Sequence, residues 1–375
     1  TEDSMRTILI TLPDDTTTTL QLDLPGGSVS DHASAIEAAL EADLPQRRLR
    51  FLCEVGPEAI RVETRGGGWS GGGAWPWLEP GYVDGCVLPW IRGHLHGRTI
   101  AQVRTVHASG RSLVLRLTDT DGARVYFKVD GAPAPSEAAL LDVLAPLAGP
   151  ILPPTLAADP VRGWLLRADF GGTLLEDIDS THTWVEAAAT LARLQRRLEG
   201  SLSAMEGLVR DYRGAALSEA MVRMLRGEPE EAVVTPYAAM WCATVAGSGI
   251  PDSLVHQDFV ACNVARTASG LIIFDWSDVV LGHPFFACDR MLDACWTDTA
   301  RKSAIIDGYL DAWTDLMPLE ALREVFAACQ KLRVLYEDLR WEDELAGLPK
   351  GSEMWIRLEA DRRAGLAMMG RSLTR

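Results

Sequence analysis

Three short runs of alternating apolar and polar residues, AQVRTVHA (101–108), SLVLRLTD (112–119) and ARVYFKVD (123–130), follow one another with three residues between each pair. A period of two marks strands. Gaps this short join only antiparallel neighbours, because a parallel connection needs a dozen residues or more. The chain is therefore committed to an antiparallel meander here. A short amphipathic helix is expected before it, over 82–95, and another helix after it, over 134–148. LPPTLAAD (152–159) and GWLLRADFGG (163–172) read as two more strands ending in a glycine turn. The remainder reads as helices over 181–199, about 216–247, 284–297, 300–316, 319–346 and 352–370. The fold class is α+β: a small β-rich lobe, then a large helical one.

Ahead of this lies a separate region. RGGGWSGGGAWPW (65–77) holds six glycines and reads as a joint. The expected division is an α+β extension over 1–77 with its glycine-rich linker at 65–77, a β-rich lobe with its connecting segment over 78–170, and a helical lobe over 171–375. Within the extension, RTILITL and TTTLQLDL read as two strands, SDHASAIEAALEADL (30–44) as a helix, and RLRFLCEV and AIRVET as further strands. LPGG at 24–27 running into a helix with Glu37 and Glu41 resembles a degenerate Nudix box. The arginine and the clustered carboxylates that serve hydrolysis there are missing, and the same segment also reads as an ordinary α+β extension.

The chain has 375 residues, 52 acidic against 36 basic, and a formal charge of −16, which disfavours duplex nucleic acid as a partner. No run of eighteen apolar residues occurs, so no membrane span is expected. The seven cysteines form no CxxC, which points to neither a disulfide scaffold nor a zinc site. Reduced thiols and the lack of a secretory pattern at the N-terminus suit the cytoplasm. Cys262 reads as a small buried side chain.

LVHQDFVACNV (254–264) is followed by LIIFDW (271–276). Asp275 closes an apolar strand and, buried there, needs a partner. Asp258 has the chemistry to orient a hydroxyl and take its proton. Asn263 and Asp275 supply the hard oxygens that Mg²⁺ prefers when it lies against phosphates. His256 reads as structural, bonded to backbone near the loop. Lys128 closes the third meander strand and Glu137 opens the next helix. Such a pair can hold nucleotide phosphates, although Lys128 alone can also reach out to solvent.

HQDFVACN followed by an Asp-Trp pair resembles the aminoglycoside phosphotransferase and choline kinase-like family over about residues 100–370. The resemblance implies a bilobal, protein-kinase-like fold that moves the γ-phosphate of ATP or GTP, with Mg²⁺, to a hydroxyl. It implies Asp258 as the catalytic residue and Asn263 and Asp275 as metal ligands. Lys128 and Glu137 become the phosphate-holding pair, and Ser109, Gly110 and Arg111 the nucleotide-covering turn. Arg167, Ala168 and Asp169 form the segment whose backbone meets the base. GHPFFACDRML (282–292) matches the segment after the metal loop, with Asp289 capping or bracing a helix. Two departures stand out: the covering turn has a single glycine, and Gln195 replaces a common histidine.

The acceptor is sought on the helical lobe. YEDLRWEDELAG (336–347) gathers Glu337, Asp338 and Glu342, carboxylates suited to an amino sugar or equally to a solvated helix face. Asp278, Trp296 and Trp341 are further candidates, the tryptophans for stacking. The family implies a small hydroxylated substrate, foremost an antibiotic, with a sugar or amino alcohol second. A non-catalytic kinase-fold binding module is the other class, and the presence of both Asp258 and Asp275 argues against it. A monomer or homodimer is expected.

Overall fold

The computed structural model describes residues 5–11, 17–23, 48–56, 59–65, 77, 81–108, 112–130, 137–295, 297–347, 350 and 353–374. The chain forms two compact units: residues 1–132 with 154–169, and residues 133–153 with 170–375.

The first unit holds two sheets. Strands β1 (Met5–Thr11), β2 (Thr17–Asp23), β3 (Arg48–Gly56) and β4 (Ala59–Arg65) take the order β2-β1-β4-β3. Two antiparallel hairpins meet through a parallel β1–β4 pair. The expected helix at 30–44, the LPGG turn before it and most of the glycine-rich joint lie outside the described residues.

The meander forms as expected. Strands β5 (Ile100–Ala108), β6 (Ser112–Asp119) and β7 (Arg124–Asp130) join β8 (Thr155–Asp159) and β9 (Trp164–Ala168) in an antiparallel sheet ordered β5-β6-β7-β9-β8. Leu113, Leu115 and Leu117 lie opposite Val129, Phe127 and Val125, all buried, so the period of two presents one continuous apolar face. A π-helical turn (Val83–Val87) leads into α1 (Leu88–His94), whose Trp90 meets Phe127 and Trp164 edge-on at 6.0 and 5.4 Å. At the β6–β7 turn the Asp119 carboxylate accepts from the backbone N–H groups of Asp121 and Ala123 and pairs with Arg98, which fixes the register.

The second unit is mostly helical: α2 (Glu137–Ala148), α3 (Thr181–Arg197), α4 (Ala215–Leu225), α5 (Glu231–Ala246), α6 (Asp289–Asp293), α7 (Thr299–Leu310), α8 (Leu319–Lys331), α9 (Arg333–Gly347) and α10 (Glu353–Leu373). Three expected helices are broken. The 216–247 stretch splits at Arg226–Glu230, where Gly227 turns left-handed (φ +82°) ahead of Pro229. The 319–346 stretch splits at the fully buried Leu332. The 284–297 stretch is a 3₁₀ turn (Pro284–Phe286) and the short α6. Two small sheets complete the unit: β10 (Thr173–Leu174), β13 (Val264–Thr267) and β14 (Gly270–Ile273) in the order β10-β13-β14, and β11 (Arg210–Asp211), β15 (Val279–Gly282) and β12 (Ser253–His256) in the order β11-β15-β12. Among the described residues no helix is long and apolar enough to cross a membrane.

Candidate active site

The site grows from the end of β12, whose four residues are all buried. This strand is pinned to α3. Gln195 Nε2 donates to the Leu254 carbonyl at 2.9 Å, and Ser253 Oγ donates to the Gln195 carbonyl at 2.8 Å. Gln195, the departure noted in the sequence, thus holds β12 in place. His256, fully buried, sits 4.8 Å from the Trp276 ring with its Nε2 3.2 Å from the Phe274 carbonyl. It ties the strand carrying Asp258 to the loop carrying Asp275.

The chain turns after His256 through a 3₁₀ segment, Ala261–Asn263, and enters the β13–β14 hairpin. Val264 faces Ile273 across that hairpin, and Phe274 N–H donates to the Asn263 carbonyl at 3.0 Å, so Asn263 and Asp275 come to the same end. Asn263 is buried, and its Nδ2 donates twice, to the Asp258 carbonyl at 3.0 Å and to Asp258 Oδ2 at 2.9 Å. With its amide nitrogen engaged on Asp258, Asn263 turns its Oδ1 the other way. Cys262, expected inside, is exposed, because the turn directs Ala261 and Asn263 inward and the residue between them out.

Asp275 departs from expectation. It is half-exposed, and among the described residues it is the one non-glycine with a left-handed backbone (φ +62°). That turn carries its carboxylate out of the apolar strand while Trp276 stays buried behind it. Burial is thereby avoided, and with it the desolvation penalty that made the sequence puzzling. Ser277 Oγ donates to Asp275 Oδ1 at 2.8 Å. Glu137 is almost fully buried and accepts the Trp276 backbone N–H at 3.0 Å, so α2 braces the same loop.

Asn263 Oδ1 and the Asp275 carboxylate fit a hard cation in donor type. Among the described residues no three His, Cys, Asp or Glu side chains converge as a metal site. A Mg²⁺ ion here would take these two protein ligands and complete its shell from phosphate and water.

The other candidates fall in several places. Lys128, largely buried on β7, lies 3.2 Å from Asp130 Oδ1, which rules out the solvent-reaching alternative. Arg167 is buried in the first unit's sheet, and the backbone N–H groups of Ala168 and Asp169 donate to Pro154 and Arg124. Asp278 accepts Gln257 N–H through its carbonyl at 2.8 Å, with its carboxylate 3.5 Å from Arg340. Asp289 opens α6 and accepts from Gln330 of α8; burial pushes its carboxyl up to about 7. It braces two helices, and the cap position of α6 belongs to Cys288. Glu337 faces Arg290 at 3.6 Å, and Glu342 is exposed. Asp338 does not lie on a solvated face: it is buried, which pushes its carboxyl up to about 8 and removes it as a ready partner for a cationic sugar. Trp341 stacks against the Arg340 guanidinium at 5.4 Å. Ser109, Gly110, Arg111 and Trp296 lie outside the described residues.

Two residues went unread in the sequence. Arg290 Nε lies 3.3 Å from Asp258 Oδ1, and Arg340 Nη1 lies 3.8 Å from it. Both sat inside segments read for other reasons, Arg290 beside Asp289 and Arg340 amid the carboxylates of α9.

Comparison with solved structures shows the protein-kinase-like fold. Choline kinase from Cryptosporidium parvum Iowa II aligns with TM-score 0.54 and 12% identity over 78% of this chain and 96% of that one. Macrolide 2'-phosphotransferase MphH from Brachybacterium faecium aligns with TM-score 0.52 and 16% identity over 75% and 97%. Choline kinase LicA from Streptococcus pneumoniae aligns with TM-score 0.51 and 13% identity over 76% and 99%. A comparison with curated proteins returns no match. The Nudix-like reading of 1–64 finds no support in these comparisons. A family model, that of the phosphotransferase enzyme family, matches residues 93–329, well over half of the chain, and the protein belongs to this family, with its aminoglycoside phosphotransferase and choline kinase-like members.

Proposed function

We propose that the protein transfers the γ-phosphoryl group of ATP or GTP to a hydroxyl of a small molecule, with Asp258 as the catalytic residue. The observation that carries this reading is the joined Asp258–Asn263 pair next to the left-handed Asp275. Asn263 fixes the Asp258 carboxylate, so Asp258 is oriented before the acceptor arrives. The acceptor oxygen attacks the γ-phosphorus in line. The new O–P bond forms as the bond to the β,γ-bridging oxygen breaks, the nucleoside diphosphate leaves, and the hydroxyl proton passes to Asp258. Mg²⁺, held by Asn263 and Asp275 when bound, supplies charge neutralisation at the phosphates. Lys128 is assigned to the phosphates as well, and the backbone of residues 167–169 to the base.

For the acceptor, the solved neighbours named as choline kinases and a macrolide phosphotransferase support a small hydroxylated molecule. A hydroxylated antibiotic is the first class to try, and a metabolic sugar or amino alcohol the second. The six cysteines with described side chains are free thiols, which supports a cytoplasmic location.

The test is nucleotide turnover with Mg²⁺, with ATP and GTP offered separately against antibiotics, sugars and amino alcohols, followed by mass analysis. Wild-type protein adds one phosphate, about 80 Da, and Asp258→Ala loses at least about 1,000-fold in kcat. Full transfer by the Asp258→Ala variant would overturn the mechanism.

A further inference from the structure

Beside Asp258 lies a cleft with three guanidiniums in its wall, those of Arg290, Arg333 and Arg340. The carboxyls there are Asp289 and Glu337, and the Phe286 and Tyr336 rings, stacked at 4.0 Å, form an apolar face. Two arginines elsewhere in this unit close tightly on a carboxylate. Arg213 holds Asp211 through Nε at 2.9 Å and Nη2 at 2.6 Å, and Arg323 holds Asp307 at 2.9 and 2.8 Å. Such forked pairs are the geometry a guanidinium prefers.

Arg290 and Arg340 behave differently. Arg290 lies 3.3 Å from Asp258 and 3.6 Å from Glu337. Arg340 lies 3.5 Å from Asp278 and 3.8 Å from Asp258. Each contact is a single nitrogen at the outer edge of bonding distance. The Nε of Arg340 is buried with no hydrogen-bond partner among the described residues, on a side chain only 11% exposed. A buried donor left unpaired is costly, and a forked oxyanion would satisfy it. Of the cleft's own carboxyls, Asp289 is already engaged by Gln330, and burial pushes its carboxyl up to about 7. Arg333 is anchored on Asp293 at the cleft's edge.

We propose that this cleft binds the acceptor, and that the acceptor carries an oxyanion, a carboxylate or a phosphate, close to the hydroxyl it presents to Asp258. Arg290 and Arg340 exchange their loose contacts with Asp258 for forked bonds to that oxyanion, which frees the Asp258 carboxylate for the hydroxyl. Acceptor binding and release of the base are then one event, and a purely cationic amino alcohol is disfavoured. This rests on the phosphotransferase reading for its consequence, but the oxyanion site itself can be tested separately.

The first arm measures binding. The full chain, saturated with Mg²⁺ and ADP to occupy the donor side, is titrated with sodium malonate and with inorganic phosphate at constant ionic strength while its Tm is followed. A saturable rise in the wild type, lost in both Arg290→Gln and Arg340→Gln, is expected. No saturable rise, or an equal rise in both variants, overturns the proposal. The second arm offers gluconate, glucose 6-phosphate, glucose and glucosamine with Mg²⁺ and nucleotide. The acidic compounds are expected to exceed glucosamine by about 10-fold or more in kcat/KM. Arg340→Gln is expected to raise their KM more than it lowers kcat, and a preference for glucosamine overturns the proposal. Gluconate and glucose 6-phosphate separate a carboxylate from a phosphate. Transfer that survives Asp258→Ala defeats the role given to Asp258, and no transfer to any acceptor defeats the phosphotransferase reading; in both cases the binding arm stands or falls by itself.

Discussion

At the residue scale, the site depends on a few short contacts whose loss has distinct signatures. Asn263→Leu keeps the branching at Cγ and removes both donations to Asp258, leaving the carboxylate free to swing. Because the Oδ1 offered to Mg²⁺ is lost as well, transfer is expected to fall about 100-fold and the Mg²⁺ concentration needed for half-maximal rate to rise, as measured by steady-state kinetics across a Mg²⁺ titration. Asp289 gives a stability signature. Burial raises its folded value from 3.8 to about 7, so between those values the unfolded chain has released a proton that the folded chain keeps. Stability from this residue is therefore fully present below about pH 4 and is lost as the pH rises to about 7, on the order of 1.4 kcal/mol for every pH unit crossed between the two values. Asp289→Asn keeps the acceptor for Gln330 and removes the titration. Urea unfolding at pH 5 and pH 8 is expected to show a gain for the variant that is larger at pH 8. The grouping of Asp258, Asn263 and Asp275 was legible in the sequence because oxygen ligands and a base at that spacing have few other uses. The placement of Asp275 was not, since a left-handed turn at a non-glycine residue leaves no mark in an apolar run. Arg290 and Arg340 were missed because a lone arginine on a helix is usually solvated, and only tertiary contacts set these two apart.

At the element scale, the helices act as clamps on short strands. Helix α3 holds β12 through Gln195 and packs against α7, where Gly308 admits the Val185 side chain; a Cβ at 308 would lie 2.4 Å from Val185 Cγ1. Gly308→Ala is expected to destabilise by about 1–3 kcal/mol through overpacking, read as a lower denaturation midpoint with an unchanged slope. The alternating strands of the meander and the amphipathic α3 were readable because each buries one face at its own period. The breaks at Arg226–Glu230 and Leu332 were harder. Gly227 and Pro229 marked the first, but an apolar pattern continued on both sides of Leu332, and burial of that leucine is a tertiary fact. The parallel β1–β4 pair was equally hidden, since nothing local distinguishes a parallel from an antiparallel partner.

At the scale of the whole molecule, the thiols report the fold. Of the six cysteines with described side chains, Cys86 and Cys262 are exposed and Cys242, Cys288, Cys295 and Cys329 are buried. Native alkylation followed by peptide mapping is expected to label the first two, and labelling of the other four to require unfolding; a reductant is expected to leave Tm unchanged. The overall class was legible from the order of patterns, a meander followed by helices. By their contacts, helix α2 groups with the helical unit, and β8 and β9 with the unit of the meander. The left-handed Asp275 also bears on descent. Glycine and asparagine adopt that backbone at least as easily as aspartate, and each is one base change from an aspartate codon. Either change keeps the turn and discards the charge. If the proposed role of Asp275 holds, a lineage of this protein therefore has a one-step exit from active to inactive chain in which the backbone of this turn is kept.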